Sequence, residues 1–171
     1  VNGRRPHWRY CPKFTPTIGG IAMSAAYHWA QSFEDQIKWN EPLSRHNTWH
    51  VGGVAECFFE PVSYEQLAAF LNAAPATVPV HWLGLGSNVL VRDGGLKGVV
   101  ISPLSLNQLK RDGSQVYAQA GVPCARLARE CVQWELGPAA FWVGIPGTVG
   151  GALAMNAGCW DGETWSSAES V

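Results

Sequence analysis

The chain has 171 residues, of which 47% are hydrophobic, so it is long enough for one domain with a real core, or for one domain and part of another. Its formal net charge of -1 gives no electrostatic reason to expect nucleic acid or an acidic membrane as a partner, and no apolar stretch approaches the roughly 18 residues that span a bilayer. Its five cysteines are an odd number without a C-x-x-C spacing, which argues against a disulfide framework and a zinc site and favours a cytoplasmic protein that acts on small molecules.

The two ends of the chain differ from its middle. We predict that residues 1–38 are a poorly ordered N-terminal extension and that residues 39–171 form the folded domain. Residues 1–22 carry four basic side chains, no acid and no regular periodicity, which is more typical of a solvated tail or a misread gene start than of an RNA-binding arm. If the gene start is misread, Met23 is the expected true start. Residues 165–171 lack the composition of a tail, so we expect the domain to be incomplete at its C-terminal end.

The first predicted elements of the domain are a strand and a helix. Residues 54–59 form a short run typical of a β-strand, which Pro61 closes. Ser63 and Gln66 form a capping box, in which the serine hydroxyl and the glutamine side chain satisfy free N–H groups at a helix start. Apolar residues at helical spacing follow, which predicts a helix after Ser63.

Further strands and a second helix follow along the chain. Residues 80–83 and 99–101 are predicted as buried strands, and the Asp-Gly pair at 112–113 indicates a hairpin. A second helix is predicted between Pro123, at its start, and Gly137, just past its end. Helices and strands therefore interleave, which predicts an α+β or α/β class with a mixed sheet.

Glycine is concentrated in two places. The first glycine segment is residues 84–88, directly after a predicted strand, and the second glycine segment is residues 144–151. Without Cβ atoms, backbone N–H groups can come close to a ligand and form an anion-binding concavity that holds phosphates. The first glycine segment has Val89 where a dinucleotide fingerprint needs its third glycine, and it lacks the lysine of a P-loop. The chain is therefore predicted to bind a nucleotide cofactor in a different way.

Three motifs occur in order across residues 40–165. They are the Asn-Thr and Gly-Gly motif of residues 47–55, the glycine-rich motif of residues 83–95, and the Gly-Ile-Pro-Gly-Thr-Val-Gly-Gly motif of residues 144–152 with Met-Asn-Ala-Gly at 155–158. Together, at this spacing, they resemble the UDP-N-acetylenolpyruvoylglucosamine reductases. The resemblance implies an α+β protein with the two-lobed FAD-binding domain of the vanillyl-alcohol-oxidase or PCMH type, truncated at its C-terminal end.

The resemblance also implies an activity in peptidoglycan precursor synthesis in the cytoplasm. In that family NADPH reduces a bound FAD. The reduced flavin then passes a hydride to the enolpyruvyl ether of a UDP-sugar while a protein acid protonates the other carbon. FAD is thus the implied cofactor, and NADPH and the UDP-sugar are the implied partners, with no nucleic acid and no membrane. The sequence does not predict the oligomeric state.

The same resemblance implies which residues bind FAD. The first glycine segment would hold the pyrophosphate, and a nearby Arg-Asp pair would support that loop. These residues are Gly84, Leu85, Gly86, Ser87 and Asn88, with Arg92 and Asp93. The second glycine segment would pass along the pyrophosphate and flavin, and an Asn-Ala pair would lie close to it. These residues are Gly144, Ile145, Pro146, Gly147, Thr148, Gly150 and Gly151, with Asn156 and Ala157. We expect a bulky residue at Gly86 to weaken FAD binding, because its side chain would enter the path of the pyrophosphate.

No residue of this chain is assigned a catalytic role. In the family, the catalytic arginine, the proton-donating serine and a glutamate follow the Ile-Pro-Gly motif at a distance that places them past Val171. The 171-residue chain is therefore expected to be inactive by itself.

Several alternatives carry less weight. The chain is also compatible with another FAD oxidoreductase of the same fold, or with a non-catalytic nucleotide-binding module. His46 and His50 have the spacing of a helical metal pair, but Gly52 and Gly53 argue against a helix there, so no metal is predicted. Cys159 is predicted as a packed thiol. Three tryptophans among apolar neighbours are predicted as core residues, namely Trp82, Trp134 and Trp142.

Overall fold

The computed structural model of the chain describes residues 25–171. The predictions for residues 1–22 and Met23 lie outside the described residues. Residues 25–38, which we assigned to the extension, belong to the fold. A 3-10 helix, Ala25–Gln36, places Tyr27, Ala30 and Phe33 in a buried cluster. The helix is kinked at Tyr27, whose φ of -118° and ψ of 15° are not helical. After the kink, Ala30 and Phe33 are three residues apart, which matches the three residues per turn of a 3-10 helix and places both on one face. The folded region therefore begins earlier than residue 39.

The main sheet has four strands in the spatial order β1-β2-β4-β3. The strands are β1 (Ile37–Pro42), β2 (Val54–Phe59), β3 (Val80–Trp82) and β4 (Leu96–Ile101). Strand β1 pairs with β2 in antiparallel fashion, whereas β4 is parallel to both β2 and β3. The predicted mixed sheet is confirmed, and β1 is the strand that the sequence analysis missed.

Helix α1 (Tyr64–Ala73) connects β2 to β3 and covers one face of the sheet. Its Ser63 hydroxyl accepts a hydrogen bond from the Gln66 backbone N–H at 3.2 Å, as the capping box predicted, while the Gln66 side chain accepts from the Val62 N–H at 2.8 Å. Phe70 of α1 stacks on Phe59 of β2 with ring centroids 3.7 Å apart. This face of the sheet is therefore closed by aromatic packing.

The opposite face of the sheet carries a second cluster. Side chains alternate between the two faces along a strand. Phe58 and Val100, next to residues that face α1, thus point to the other side and pack with Leu43, Leu83 and Val91. This cluster lies at both ends of the loop that contains the first glycine segment, because Leu83 precedes that segment and Val91 follows it.

The second half of the described chain has its own core. Its elements are the hairpin β5 (Leu109–Asp112) and β6 (Gln115–Ala118), helix α2 (Cys124–Gln133), a 3-10 helix (Ala140–Gly144), helix α3 (Val149–Met155), the short hairpin β7 (Gly158–Cys159) and β8 (Gly162–Glu163), and a 3-10 turn (Trp165–Ser167). Leu127 of α2, Trp142 and Ile145 are buried in one cluster with Val149 of α3. The second glycine segment thus runs through this core.

Two local predictions need correction, and one helix was not predicted. The second helix ends at Gln133, four residues before Gly137, and Glu135, with φ of 58°, takes the left-handed conformation just past its end. Trp82 is 56% exposed and is not a core residue, whereas Trp142 is buried as predicted. Helix α3 was not predicted, because two adjacent glycines hide its helical pattern.

Among residues 25–171, none of the helices has the length and apolar character needed to cross a membrane.

Candidate cofactor site

The two glycine segments meet in the folded chain. The Ser87 hydroxyl donates a hydrogen bond to the Pro146 carbonyl oxygen at 2.5 Å, across 59 positions of sequence. A Cβ built on Gly84 would lie 3.0 Å from Thr148 Oγ1, and a Cβ built on Gly147 would lie 3.2 Å from Ser87 Oγ. The two glycine segments therefore lie next to each other in the fold.

Strand β3 positions the first glycine segment. The Leu83 N–H donates to the Ile101 carbonyl at 2.9 Å, so the segment leaves the sheet at the carboxyl end of a parallel strand. Ligands of open α/β sheets commonly bind at this end of the strands. The local topology thus agrees with a binding role for these residues.

Gly86 has to be a glycine because a side chain there would overlap another part of the protein's backbone. Its φ is 71°, in the left-handed region, and a Cβ there would overlap the His46 carbonyl oxygen and lie 2.7 Å from Asn47 Cα. The Thr48 N–H also donates to the Gly86 carbonyl at 3.1 Å. The reason we predicted for this glycine is therefore wrong, since its missing side chain leaves room for residues 46–47 and not for a pyrophosphate.

Asn47 holds the turn on which Gly86 rests. Its side chain is 4% exposed, and its Nδ2 donates to the carbonyl oxygens of Leu43 at 2.6 Å and Val51 at 2.9 Å. Because both neighbours can only accept, the orientation of the amide is unambiguous. Its Oδ1 has no hydrogen-bond partner among the described residues. Asn47 belongs to the first motif, but its residue type and spacing predict no role for it in the site.

The two histidines of the metal alternative have separate partners. His46 Nε2 lies 2.9 Å from Glu41 Oε1, and the ring lies 4.3 Å from that of Phe58. His50 Nδ1 lies 3.3 Å from the Ser44 carbonyl oxygen. Within residues 25–171, there is no group of three or more His, Cys, Asp or Glu side chains with the arrangement of a metal site.

The first glycine segment presents a row of unpaired backbone donors. None of the N–H groups of residues 84–88 donates to a described residue, although the Gly86 carbonyl is paired. Consecutive N–H groups around a left-handed residue form a concavity that attracts anions. This row of amides is the feature of the site that best matches a phosphate ligand.

The second glycine segment has most of its amides occupied. Ile145 donates to the Trp142 carbonyl at 3.3 Å, Val149 to the Val122 carbonyl at 2.8 Å, and Gly150 to the Ala120 carbonyl at 2.9 Å. The N–H groups of Gly147 and Thr148 donate to no described residue. Free amides of this segment therefore occur where it meets the first glycine segment.

The glycines of the second segment also serve different purposes. A Cβ on Gly144 would overlap Cys159 Sγ, and one on Gly150 would lie 2.7 Å from the Ala120 Cβ. A Cβ on Gly151 would meet Thr148 Oγ1 at an ordinary 3.7 Å. Gly144 and Gly150 thus permit close packing of the chain, with Cys159 packed as predicted, while the surface at Gly151 is open.

A cavity of about 1340 Å³ opens beside both glycine segments. Gly84 lines it from the first segment, and Thr148, Gly150 and Gly151 line it from the second. Trp82, which is exposed, also lines this cavity. Gly84 and Gly151 therefore both border a space that can take a ligand.

Arg92 and Asp93 support the loop through their backbone. The Arg92 carbonyl accepts from the N–H groups of Gly53 at 3.0 Å and Gly95 at 2.9 Å, and a Cβ on Gly53 would overlap the Asp93 carbonyl oxygen. Both side chains are exposed and form no hydrogen bond or ion pair with a described residue. The Gly52-Gly53 pair of the first motif is thus required by this close backbone contact.

Asn156 and Ala157 form the turn that follows α3. Asn156 is left-handed, with φ of 45°, and its side chain accepts from the Trp165 N–H and donates to Glu163 Oε2, both at 3.0 Å. The Ala157 carbonyl accepts from the buried Thr164 hydroxyl at 2.7 Å. Both residues therefore bind residues 163–165, at the end of β8 and just after it, and the polar groups of Asn156 are occupied by the protein.

The buried cysteines are poor candidates for redox chemistry. Burial raises the pKa of the Cys57 thiol to about 12 and that of the Cys124 thiol to about 11. Thiols are reactive as thiolates, which neither residue forms near neutral pH. Cys57, Cys124, Cys131 and Cys159, the four cysteines of the described region, are all free.

With this geometry, the fold and site define a class of protein. Residues 55–171 match the sequence profile of the family described as FAD binding domain, and the chain belongs to that family. This membership confirms the predicted fold and the predicted cofactor, FAD.

Comparison with curated proteins then identifies relatives of one particular kind within this family. Relatives named UDP-N-acetylenolpyruvoylglucosamine reductase include a protein of Alkalilimnicola ehrlichii, 50% identical over 132 residues, which span 77% of this chain and 44% of the relative. A second, from Methylococcus capsulatus, is 52% identical over 131 residues, covering 74% and 42% respectively. The chain thus spans less than half the length of the curated relatives it matches. The predicted resemblance is confirmed.

A solved structure agrees with these relatives. The crystal structure of UDP-N-acetylenolpyruvylglucosamine reductase from Thermus caldophilus superimposes with a TM-score of 0.62 at 30% identity, covering 75% of this chain and 45% of that one. The two chains therefore share the fold over the matched region.

Proposed function

We propose that the first glycine segment holds the pyrophosphate of FAD without a covalent bond. The observation that carries the proposal is the row of unpaired N–H groups at residues 84–88, beside the free amides of Gly147 and Thr148. A pyrophosphate offers several acceptor oxygens and no donor, so it complements such a row, and each hydrogen bond contributes a net of about 0.5–1.5 kcal/mol. The exposed Arg92 guanidinium lies on the same loop and is free to attract the negative charge.

In this proposal the second glycine segment continues the cradle toward the flavin. Gly151 leaves open space beside the cavity, and Pro146 restricts the backbone without adding a donor. Asn156 and Ala157 contribute by holding the turn after α3, because their polar groups already bind residues 163–165. Asp93 contributes through its close backbone contact with Gly53.

The wider activity follows from the relatives. We infer that the chain supplies the FAD-binding part of a cytoplasmic, NADPH-dependent reductase in peptidoglycan precursor synthesis. When bound, FAD would take a hydride from NADPH and pass it to the enolpyruvyl ether of a UDP-sugar. The support is about 50% identity to reductases of this name over the matched span. The described residues bind and orient the cofactor, and no proton transfer is assigned to any of them.

Cofactor binding is tested by titration. The purified chain is titrated with FAD while the visible absorbance and fluorescence of the flavin are followed, and competition with ADP tests the pyrophosphate contacts. We expect a yellow complex with one FAD per chain, from which ADP displaces the flavin. A folded chain that leaves the flavin spectrum unchanged would contradict the proposal.

The activity is tested separately. The chain is supplied with FAD, NADPH and the enolpyruvyl UDP-sugar, and both NADPH oxidation and product are measured. We expect no substrate-dependent turnover, because the chain spans less than half the length of the reductases it matches and no catalytic role is assigned to its residues. Turnover comparable to that of a full-length reductase would show that catalytic groups lie within the 171 residues.

A further inference from the structure

We propose that Ser87 is a positioning residue whose hydroxyl sets the distance between the two glycine segments. The inference rests on the proposed FAD site, because it assigns one side chain the task of keeping both halves of that site in register. The hydroxyl donates to the Pro146 carbonyl at 2.5 Å. That distance is at the short end of the range for O–H···O hydrogen bonds.

The two segments are otherwise anchored to different parts of the protein. The first rests on the cluster of Phe58, Val100 and Leu83, and the second runs through the separate cluster around Trp142 and Val149. Within the described residues, the Ser87–Pro146 bond is the one side-chain hydrogen bond that links the two segments. Its loss would leave the two halves of the site free to shift relative to each other.

The same bond argues against a direct contact between the Ser87 proton and the cofactor. A serine hydroxyl has one proton to donate, and a pyrophosphate has only acceptor oxygens. While Ser87 donates to Pro146, its proton is unavailable to the phosphates. The free donors of the site are then the backbone N–H groups, and Ser87 acts on FAD through the position of the second segment.

Hydrogen exchange of the FAD-free protein tests the link itself. The Cys124 N–H donates to the Gly147 carbonyl, directly beside Pro146, and the Val149 N–H donates to the Val122 carbonyl. In Ser87→Ala we expect both amides to exchange about two- to tenfold faster, as the loss of one hydrogen bond implies. The control Ser114→Ala removes a hydroxyl from the exposed β5–β6 turn and is expected to leave these rates unchanged. Unchanged exchange in Ser87→Ala would overturn the proposal.

Ligand binding separates positioning from direct contact. We expect Ser87→Ala to bind FAD about two- to tenfold more weakly, with a smaller loss for ADP, because ADP shares the pyrophosphate contacts but lacks the flavin that the second segment would also hold. Equal losses for FAD and ADP would indicate direct contact with the pyrophosphate and would overturn the proposal. If the wild-type chain binds neither ligand, the proposed FAD site fails, while the exchange result still decides whether Ser87 links the segments.

Discussion

The two glycine segments have similar compositions but use their backbones differently. In residues 84–88 no N–H group donates to a described residue, whereas in residues 144–151 the N–H groups of Ile145, Val149 and Gly150 donate to carbonyl oxygens. The first segment is an open loop after β3, and the second leads directly into α3. A ligand that needs donors is therefore expected to be held mainly by the first.

Individual glycines differ in the same way. Gly86, Gly144 and Gly150 lie where a Cβ would meet another part of the chain, while Gly151 faces open space. Glycine density thus has two separate causes, close packing and ligand approach. A ligand site is indicated by open backbone with free amides, and not by the number of glycines.

The largest effect is expected at Gly86. Gly86→Ala forces a side chain into the left-handed region and against the His46 carbonyl, which should lower the free energy of unfolding by at least about 3 kcal/mol. Chemical denaturation measures this loss. The control is Gly94→Ala, in which a Cβ meets nothing within 4 Å and stability should change little. Equal stabilities of the two variants would contradict the conclusion that Gly86 is a glycine because it packs against the His46 carbonyl.

The second-largest loss of stability is expected at Asn47, which holds the turn that contacts Gly86 of the first segment. Asn47→Asp replaces the amide that donates to Leu43 and Val51, so the buried Leu43 carbonyl and the partly buried Val51 carbonyl both lose their donor. We expect a loss of about 2–3 kcal/mol, together with weaker FAD binding. The matched change Asn107→Asp affects an exposed amide and should be nearly neutral. A stable Asn47→Asp protein with normal FAD affinity would show that this turn does not position Gly86.

Two adjacent residues test the second segment. Gly150→Ala places a Cβ 2.7 Å from the Ala120 Cβ and should lower stability by about 1–2 kcal/mol. Gly151→Ala fills open space and should raise stability by up to about 1 kcal/mol, since alanine favours a helix. Thermal unfolding with and without FAD measures both. We expect Gly151→Ala to be more stable yet to bind FAD more weakly, and unchanged affinity would exclude Gly151 from the cofactor's path.

The smallest effect concerns the 3-10 helix that covers the main sheet. The Tyr27 hydroxyl donates to Glu56 at 2.9 Å, and the Gly98 N–H donates to the same carboxylate at 2.9 Å. Burial and then this bond raise the pKa of Tyr27 above its ordinary value of 10.0, while the bonds from Gly98 and then Tyr27 lower the pKa of Glu56 below 4.5. Tyr27→Phe should cost about 1 kcal/mol at neutral pH.

The sign of the pH dependence follows from these two shifts. A raised tyrosine pKa stabilises the fold below pH 10.0, and this contribution is lost as the pH rises further. A lowered glutamate pKa stabilises it above pH 4.5, and this contribution is lost on acidification. The stability difference between wild type and Tyr27→Phe should therefore shrink at both extremes. A difference that stays constant from acid to alkaline pH would contradict the bond.

Local patterns predicted much of the fold. The β2 strand, the cap of α1, the Asp-Gly hairpin and the start of α2 all depend on residues close together in sequence, and all are confirmed. Strand β1 and the 3-10 helix before it were missed, because their burial depends on pairing with β2 and packing on Phe59 and Phe70. Helix α3 was missed because its first turn contains two glycines, and Val149 and Ala152 stabilise it by burial.

The amino-acid sequence by itself determined the FAD-binding class, through three motifs whose residue types and order need no coordinates to read. The tertiary structure alone decided what each motif residue does. Whether a glycine makes room for a ligand or for the chain depends on which atoms lie opposite its missing Cβ. For Gly86 those atoms belong to His46 and Asn47, about forty positions away. Ser87 likewise acquires its partner, Pro146, when the two segments are folded together. Such contacts are set by long-range packing, which local residue patterns do not encode.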